Sequence, residues 1–301
     1  MTILLLGGRG KTSTRLAALL SAANIPFLLA SRTTSSTTNP PHPQAKFDWL
    51  DESTWDTPFA VATATQHQNE MNSSAAVFSA VYLVAPQVLD MVPLMNRFVD
   101  FARGKGVRRF VLLSGSPLEK GGAAMGGVHG YLAELGELGE GVEWAVLRPS
   151  WFMENLSEGP HLPSIKTENK IRTATNEGRI AFISADDIAR VAFRALTDEV
   201  PHNTDHLILG PELLSYDQVA EILSSVLGRK ISHGKLSGEE FGTFLTEKAG
   251  IERVYADMLA GMDVAISKGS EERMNDVVER VTGEKPKTFR EFAEGVKGVW
   301  G

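Results

Sequence analysis

Residues 7–12 read Gly-Gly-Arg-Gly-Lys-Thr, with a short apolar run before them and a helix-period segment after. Residues of these types can build two kinds of phosphate loop. An ATP-binding P-loop needs G-x-x-x-x-G-K-[ST], and its first glycine makes the turn. Counting back from Gly10 puts Leu5 at that place, inside the apolar run, so the match fails at the turn itself. A dinucleotide-binding βα turn fits better. Gly7 ends the strand and permits the tight turn, with Gly8 and Arg9 following. Gly10 lets the backbone approach a pyrophosphate, and a helix from about Lys11-Thr12 presents its N-terminus to that anion. Ser13 stands where a third small residue packs helix to strand. The plainer alternative is a glycine-rich turn that binds nothing.

The end of the second apolar run decides which dinucleotide the turn suits. A site for NAD places Asp or Glu there to accept from the ribose 2′-hydroxyl. Here the residues are Ser31-Arg32-Thr33. An arginine cannot accept, but it can pair with a 2′-phosphate through two N–H groups. Arg9 and Lys11 add positive charge to the same region, so together they favour NADP(H) over NAD(H). Arg32 can also be read as a solvated loop residue.

A turn of this kind works only if strands and helices hold it. Apolar runs at 3–6, 25–30, 45–50, 80–85, 109–113 and 143–147 alternate with helix-period segments. Leu16, Leu19, Leu20 and Ala23 follow the i, i+3, i+4, i+7 pattern, and Val88 through Ala102 makes a longer helical face. Continuous apolar runs alternating with helices predict a parallel sheet covered on both faces, a Rossmann-type doubly wound α/β fold. A Ser/Thr/Pro-rich loop spans 31–43. After about residue 150 the rhythm changes: a helix is expected at 186–196, a strand at 206–209 and a helix at 216–227, then a mostly helical, charged stretch from Ser237. The division expected is a dinucleotide-binding domain over 1–150 and a smaller, mostly helical substrate lobe over 151–301, interleaved with the first.

The rest of the composition narrows the function. The chain has 301 residues, 43% hydrophobic, with a net charge of −7 and no basic block, which argues against a nucleic-acid partner. It contains no cysteine, which removes disulfides, thiolate catalysis and cysteine-held zinc; no metal site is expected. No apolar run approaches the ~20 residues of a membrane span, and no secretory signal precedes Ile3. The expected compartment is the cytosol, where the sequons at Asn72 and Asn155 carry no weight.

The motifs now accumulated resemble a known family. The segments GGRGKT, the Arg32 loop, Phe47-Asp48-Trp49, AVYLVAP at 80–86, RRFVLLSGS at 108–116, LRPSWFMENL at 147–156, FISADDIA at 182–189 and LGPELLSYDQVAEILSSVLGRKI at 209–231 resemble the NmrA-like atypical short-chain dehydrogenases/reductases. The opening twenty residues and FDWLDESTW resemble, more narrowly, the festuclavine/agroclavine dehydrogenases of ergot alkaloid biosynthesis. The resemblance implies that Asp48 and Trp49 lie beside the adenine and that Val84, Ala85 and Pro86 run along the adenosine. It implies that Ser114 faces the nicotinamide, and that the segment from Pro149 to Asn155 passes under it into a substrate pocket. Ser114, Trp151, Phe152, Met153 and Asn155 would then touch substrate, with Phe152 and Met153 as pocket wall. Each has a plainer reading: Asp48 as a turn cap, Trp49 and Trp151 as core. Residues 121–127, GGAAMGG, are expected to form a mobile flap over the cofactor.

One departure matters. Ordinary short-chain dehydrogenases carry Tyr-x-x-x-Lys after the fifth strand; here Tyr131 is followed four residues later by Leu135. The usual proton donor is therefore missing, and no catalytic residue is assigned. His129 is the nearby group suited to proton transfer, and it reads as structural or substrate-contacting. The resemblance implies an NADPH-dependent reductase of a cyclic iminium, giving a clavine such as agroclavine or festuclavine. Its substrate would be small, flat, apolar and cationic, and an upstream pathway enzyme could supply it. A quinone reductase of the same family and a non-catalytic NADP(H)-sensing regulator are the alternatives.

Overall fold

Apolar runs without polar alternation need burial on both faces. The computed structural model, which describes residues 2–34, 41–68 and 77–301, gives them that environment. Asn72 and residues 35–40 of the Ser/Thr/Pro-rich loop lie outside the described residues. The chain begins β1 (Ile3–Leu6), α1 (Lys11–Ala22), β2 (Phe27–Ser31), β3 (Gln44–Lys46), α2 (Thr57–Gln68), β4 (Ala80–Val84) and α3 (Met91–Gly104). It continues with β5 (Arg109–Leu113), α4 (Met125–Glu137), β6 (Glu143–Pro149), α5 (Leu162–Glu168), β7 (Lys170–Thr173), α6 (Ala185–Thr197) and β8 (Thr204–Ile208). Last come α7 (Tyr216–Leu227), β9 (Ser232–Lys235), α8 (Gly238–Ala249), α9 (Arg253–Ile266), α10 (Val277–Thr282) and α11 (Phe289–Val296).

The chain divides into two units, Met1–Pro149 with Ile188–Leu207, and Ser150–Asp187 with Ile208–Gly301. The first departure from 150 thus falls where the sequence rhythm changes, but residues 188–207 return to the first unit. Among the described residues the main sheet has seven strands in the order β3-β2-β1-β4-β5-β6-β8. Leu4 of β1 pairs in parallel with Leu28 of β2 and Val81 of β4, and all three are buried. The order reverses between β1 and β4, the point where doubly wound sheets open a crevice at the strands' carboxyl ends. On one face an aromatic cluster fills the core: Phe98 of α3 meets Phe47, Trp49 and Trp55 edge-on at 5.1–5.4 Å, a favoured geometry for such rings.

Strand β3 stops at Lys46, short of the expected 50. Asp48 and Asp51 end it: Asp48 Oδ1 accepts from Leu50 N at 3.0 Å, and Asp51 caps the short 3-10 turn Glu52–Thr54. Side chains that bond their own backbone two residues on favour turns over ladders.

The second unit is mostly helical, as expected, with a two-stranded parallel pairing of β7 and β9. Three of its N-caps are reciprocal capping boxes, Ser215/Gln218 at α7, Ser237/Glu240 at α8 and Thr288/Glu291 at α11. Its core holds Met153, Leu156, Ile165, Phe182, Tyr216, Phe289 and Trp300, and the Trp300 indole donates to Leu156 O at 2.8 Å. Among the described residues no helix is long and apolar enough to cross a membrane.

Asp263 of α9 is buried in this unit and accepts from Ala174 N at 3.0 Å. Burial pushes its carboxyl up to about 7, and the Ala174 N–H offsets only part of that. Between its unfolded value near ~4 and about 7, the folded state holds a proton that the unfolded state releases. Its contribution to stability is therefore fullest below ~4 and is lost as pH rises to about 7, a span of up to ~4 kcal/mol. We expect Asp263→Asn to gain stability over the parent as pH rises from 5 to 8, measured by urea midpoints at both pH values. An equal effect at the two would show that the carboxylate is already ionised at pH 5 in the folded protein, so that burial does not raise its pKa.

Candidate active site

The turn at residues 7–10 has the geometry its glycines imply. Gly7 has φ +63°, and a Cβ there would lie 3.0 Å from Val84 Cβ of β4. Gly10 N–H closes the turn on Gly7 O at 2.7 Å. Gly8 serves packing: its N–H donates to Ala30 O at 3.0 Å, and a Cβ would meet Leu29 Cβ at 3.0 Å. Ser13 is buried and its hydroxyl donates to Leu6 O at 3.0 Å, joining α1 to β1 as the third small residue should. The Thr12 hydroxyl accepts from Tyr82 OH at 3.1 Å inside the core. What Lys11 and Thr12 bring to an anion is the helix N-terminus they open. The first N–H groups of a helix have no partner within it, and α1 has neither a side-chain cap nor an acidic residue in its first turn. The partial positive charge of that end stays available to an anion.

Beside this turn lies a cleft of about 460 Å³ within the first unit, lined by Gly7, Arg9 and Gly10 and by three exits of strands. The β2 exit supplies Ala30, Ser31, Arg32 and Thr33. Arg9 Nη1 donates to Thr33 Oγ1 at 2.8 Å, and Ser31 Oγ donates to Thr33 O at 2.7 Å, so the β2 exit and the glycine turn are tied together. Arg32 is exposed at this end, and no carboxylate stands among residues 30–33. The β3 side supplies Phe47, Asp48, Trp49 and Leu50; the β4 exit supplies Val84, Ala85, Pro86, Gln87 and Val88. Trp49 is both core and cleft wall, since it packs edge-on against Phe47 at 5.2 Å while its indole N–H donates to Val84 O at 3.0 Å. Asp48 likewise holds its turn and lines the cleft. The sequence reading missed Thr33, Leu50, Gln87 and Val88. The last two simply continue the VAP segment, and Leu50 showed no pattern to mark it, although it stands 67% exposed beside the cleft.

At the β5 and β6 exits, Ser114 N–H donates to Leu147 O at 2.7 Å and Ser116 N–H to Pro149 O at 2.9 Å, so Ser114 and Pro149 sit on adjoining strand ends. The Ser114 hydroxyl is buried with no hydrogen-bond partner. His129 is 1% exposed, its ring 5.5 Å from that of Trp144 and both nitrogens unpaired. Burial lowers its pKa, which keeps it neutral. The expectation that it contacts substrate meets a core histidine, because a face of α4 built from Val128, Leu132 and Leu135 turns it inward. Tyr131 donates to Asp100 Oδ1 of α3 at 2.6 Å, and burial together with that carboxylate pushes its pKa up to about 12. Gly121, at φ +76°, donates its N–H to Gly126 O at 2.8 Å, and Gly126 serves close packing at the start of α4, where a Cβ would lie 2.3 Å from Glu119 O.

The remaining expected substrate residues belong to the second unit. Trp151 and Phe152 are half-buried, and Phe152 bridges in parallel to Ile183. Asn155 is half-buried, its N–H donating to Phe152 O at 3.0 Å. Met153 was expected as pocket wall but has no exposed surface; its N–H bonds to Ile183 O at 2.9 Å, which turns its side chain into the core.

A parallel sheet reversing at β1/β4, with a glycine turn, a helix N-terminus without a side-chain cap and a cleft at that point, defines a Rossmann-type protein. The solved triphenylmethane reductase of Citrobacter sp., complexed with NADP(H), superposes with TM-score 0.76 at 20% identity over 98% of this chain and 100% of that one. No protein-family model matches the chain. Festuclavine synthase II of Penicillium roqueforti is 50% identical over 300 residues, covering 100% of both chains. Agroclavine dehydrogenase of Claviceps fusiformis is 46% identical over 302 residues, covering 100% of this chain and 99% of its own. The chain belongs to the family of festuclavine synthases and agroclavine dehydrogenases.

The Gly7–Val84 approach yields a direct test. Gly7→Ala should cost about 1–3 kcal/mol, from a non-glycine residue held at positive φ plus the contact with Val84. Adding Val84→Ala removes the Cγ contacts at 3.1 and 3.4 Å but keeps both the Cβ contact at 3.0 Å and the strain, so the double variant should recover only part of the loss in a urea titration. Full recovery would mean that the backbone at residue 7 is unstrained.

Proposed function

We propose that this protein is an NADPH-dependent reductase of a cyclic iminium in ergot alkaloid biosynthesis, giving a tetracyclic clavine such as agroclavine or festuclavine. One observation carries the reading: in a chain whose full-length relatives are named for festuclavine and agroclavine, the tyrosine that a carbonyl reductase would use as acid is bonded to Asp100. Helix α3 starts just past the β4 exit, and Asp100 lies nine residues beyond Met91, about 13 Å along the helix. A proton held there does not reach the strand exits.

The residues of the cleft fit the cofactor. The turn at Gly7–Gly10 and the N-terminus of α1 would hold the pyrophosphate, and Arg32 with Arg9 would hold a ribose 2′-phosphate. Trp49, Leu50 and Val84–Val88 would flank the adenosine, and Ser114 and Pro149 would flank the nicotinamide. A bound NADPH supplies the hydride. Reducing a carbonyl builds an alkoxide that needs a proton donor or an oxyanion site, whereas reducing an iminium discharges a cation to a neutral amine and needs neither. What remains for the chain is to orient the substrate, exclude water and offer aromatic surface to a flat cation. Trp151 and Phe152 would supply that surface and Asn155 an orienting hydrogen bond. The reading places the reaction in the cytosol, with the iminium derived from an upstream enzyme's product.

Arg32→Ala should weaken NADPH by about one to two decades, the worth of a charge-assisted contact of ~1.5–3 kcal/mol, and leave NADH nearly unchanged. Fluorescence titration with both cofactors measures this, and equal affinity of the unmodified protein for the two would rule out the phosphate role. Tyr131→Phe should keep most turnover on an iminium substrate. A drop of the ~10²–10⁴-fold that follows loss of a general acid would mean that a proton must be delivered, and the iminium mechanism would have to be abandoned.

A further inference from the structure

Arg148 is a buried charged side chain of the first unit that the proposed function leaves without a task. It follows Leu147 near the end of β6, is 6% exposed, and reaches two other segments. Its guanidinium donates to Ser116 O at 2.9 Å, to the Glu119 carboxylate, and to Asp205 Oδ2 of β8 at 2.8 Å. Burial alone would lower its pKa, but the Glu119 and Asp205 carboxylates outweigh that and raise it, so the charge persists. Its Nε remains buried without a partner. A well-packed apolar side chain would hold a sheet edge together at lower desolvation cost. The arginine is therefore better explained by what it holds.

What it holds is the segment leaving β5. The β5–β6 ladder continues past Leu113 through the Ser114 and Ser116 N–H groups, then ends. Beyond Ser116 the chain turns through Pro117 and Leu118 toward glycines 121 and 122 and enters α4. Arg148 grips this segment at Ser116 and again at Glu119. In a doubly wound sheet the second mononucleotide half of a dinucleotide lies at the exits beyond the reversal point, which here are β4, β5 and β6.

We propose that Arg148 is a positioning residue that fixes residues 114–119 as the wall against which the nicotinamide half of the cofactor seats, with Glu119 as its outer anchor. This rests on the dinucleotide reading above. Glu119 offers the cleaner test, because its side chain is 70% exposed while Arg148 keeps its other two partners when Glu119 is changed.

The test compares two ligands on the full chain. The first is 2′,5′-ADP, which carries adenosine and the 2′-phosphate but no nicotinamide; the second is NADPH. In Glu119→Ala, affinity for 2′,5′-ADP should stay within about twofold, while NADPH affinity or the single-turnover reduction rate falls about tenfold, as expected of a displaced reacting group. Glu119→Gln, which keeps an acceptor, should retain more of the rate than Glu119→Ala. Arg148→Lys, with one point charge for a forked group, should show the same split more strongly. Loss of both ligands in parallel, or NADPH behaviour unchanged in both Glu119 variants, overturns the positioning role while leaving the dinucleotide reading intact. Failure of the unmodified protein to bind either ligand overturns both.

Discussion

The cleft depends on how closely β4 can approach β1 where β1 ends. Leu5 pairs with Tyr82, so the chain leaving β1 at Gly7 meets Val84 as β4 ends. With no Cβ on Gly7 the two exits lie in contact, and the positive φ at that residue turns the chain toward Gly10 and the start of α1. Trp49 extends the same constraint to the β3 side, since its indole is bonded to Val84 O. The distance between the walls is thus set by one missing side chain and one hydrogen bond, both within reach of the helix N-terminus. Phe98 packs edge-on against Trp49 at 5.1 Å on the core side, which ties that wall to α3.

The polar groups of the first unit divide into those that bind and those that only hold. Tyr82 and Tyr131 are both bonded and both raised by burial, first of all, in their pKa values. His129 is kept neutral by burial. None of the three is poised to exchange a proton near neutrality at a strand exit. The cleft itself offers two guanidinium groups, Arg9 and Arg32, together with backbone N–H groups. Such a site is suited to gripping phosphate rather than to moving protons.

The sequence made the first unit legible because its strands are buried on both faces and so read as unbroken apolar runs. It made the turn legible because positive φ and close approach both require glycine. Helix α2 was not seen: Thr-Pro-Phe-Ala-Val-Ala-Thr-Ala-Thr has no apolar stripe at helical spacing. Strands β7 and β9, Lys-Ile-Arg-Thr and Ser-His-Gly-Lys, are short and polar, and their pairing across about sixty residues leaves no local mark. The expected cleft residues on the β3 and β4 sides came through motif resemblance, and the geometry gives them shared walls. His129 takes the structural of its two readings, and Met153 faces inward too, because a titratable or pocket-like residue type says nothing about which face of its element it occupies.

Leu135 shows why the missing lysine is more than a substitution at one position. It is buried in the cluster that holds Val128, Leu132 and Val142, so the turn of α4 that would carry the lysine is used as core. A lysine ammonium placed among those apolar side chains would lose its hydration, at a cost of several kcal/mol. Tyr131, one turn earlier, has meanwhile been drawn to Asp100 on the neighbouring helix. Restoring a tyrosine–lysine pair would need the helix face repacked and the tyrosine released together, and neither change alone gives a working acid. On the proposed reading, a reductase so built suits electrophiles whose reduction ends without a proton.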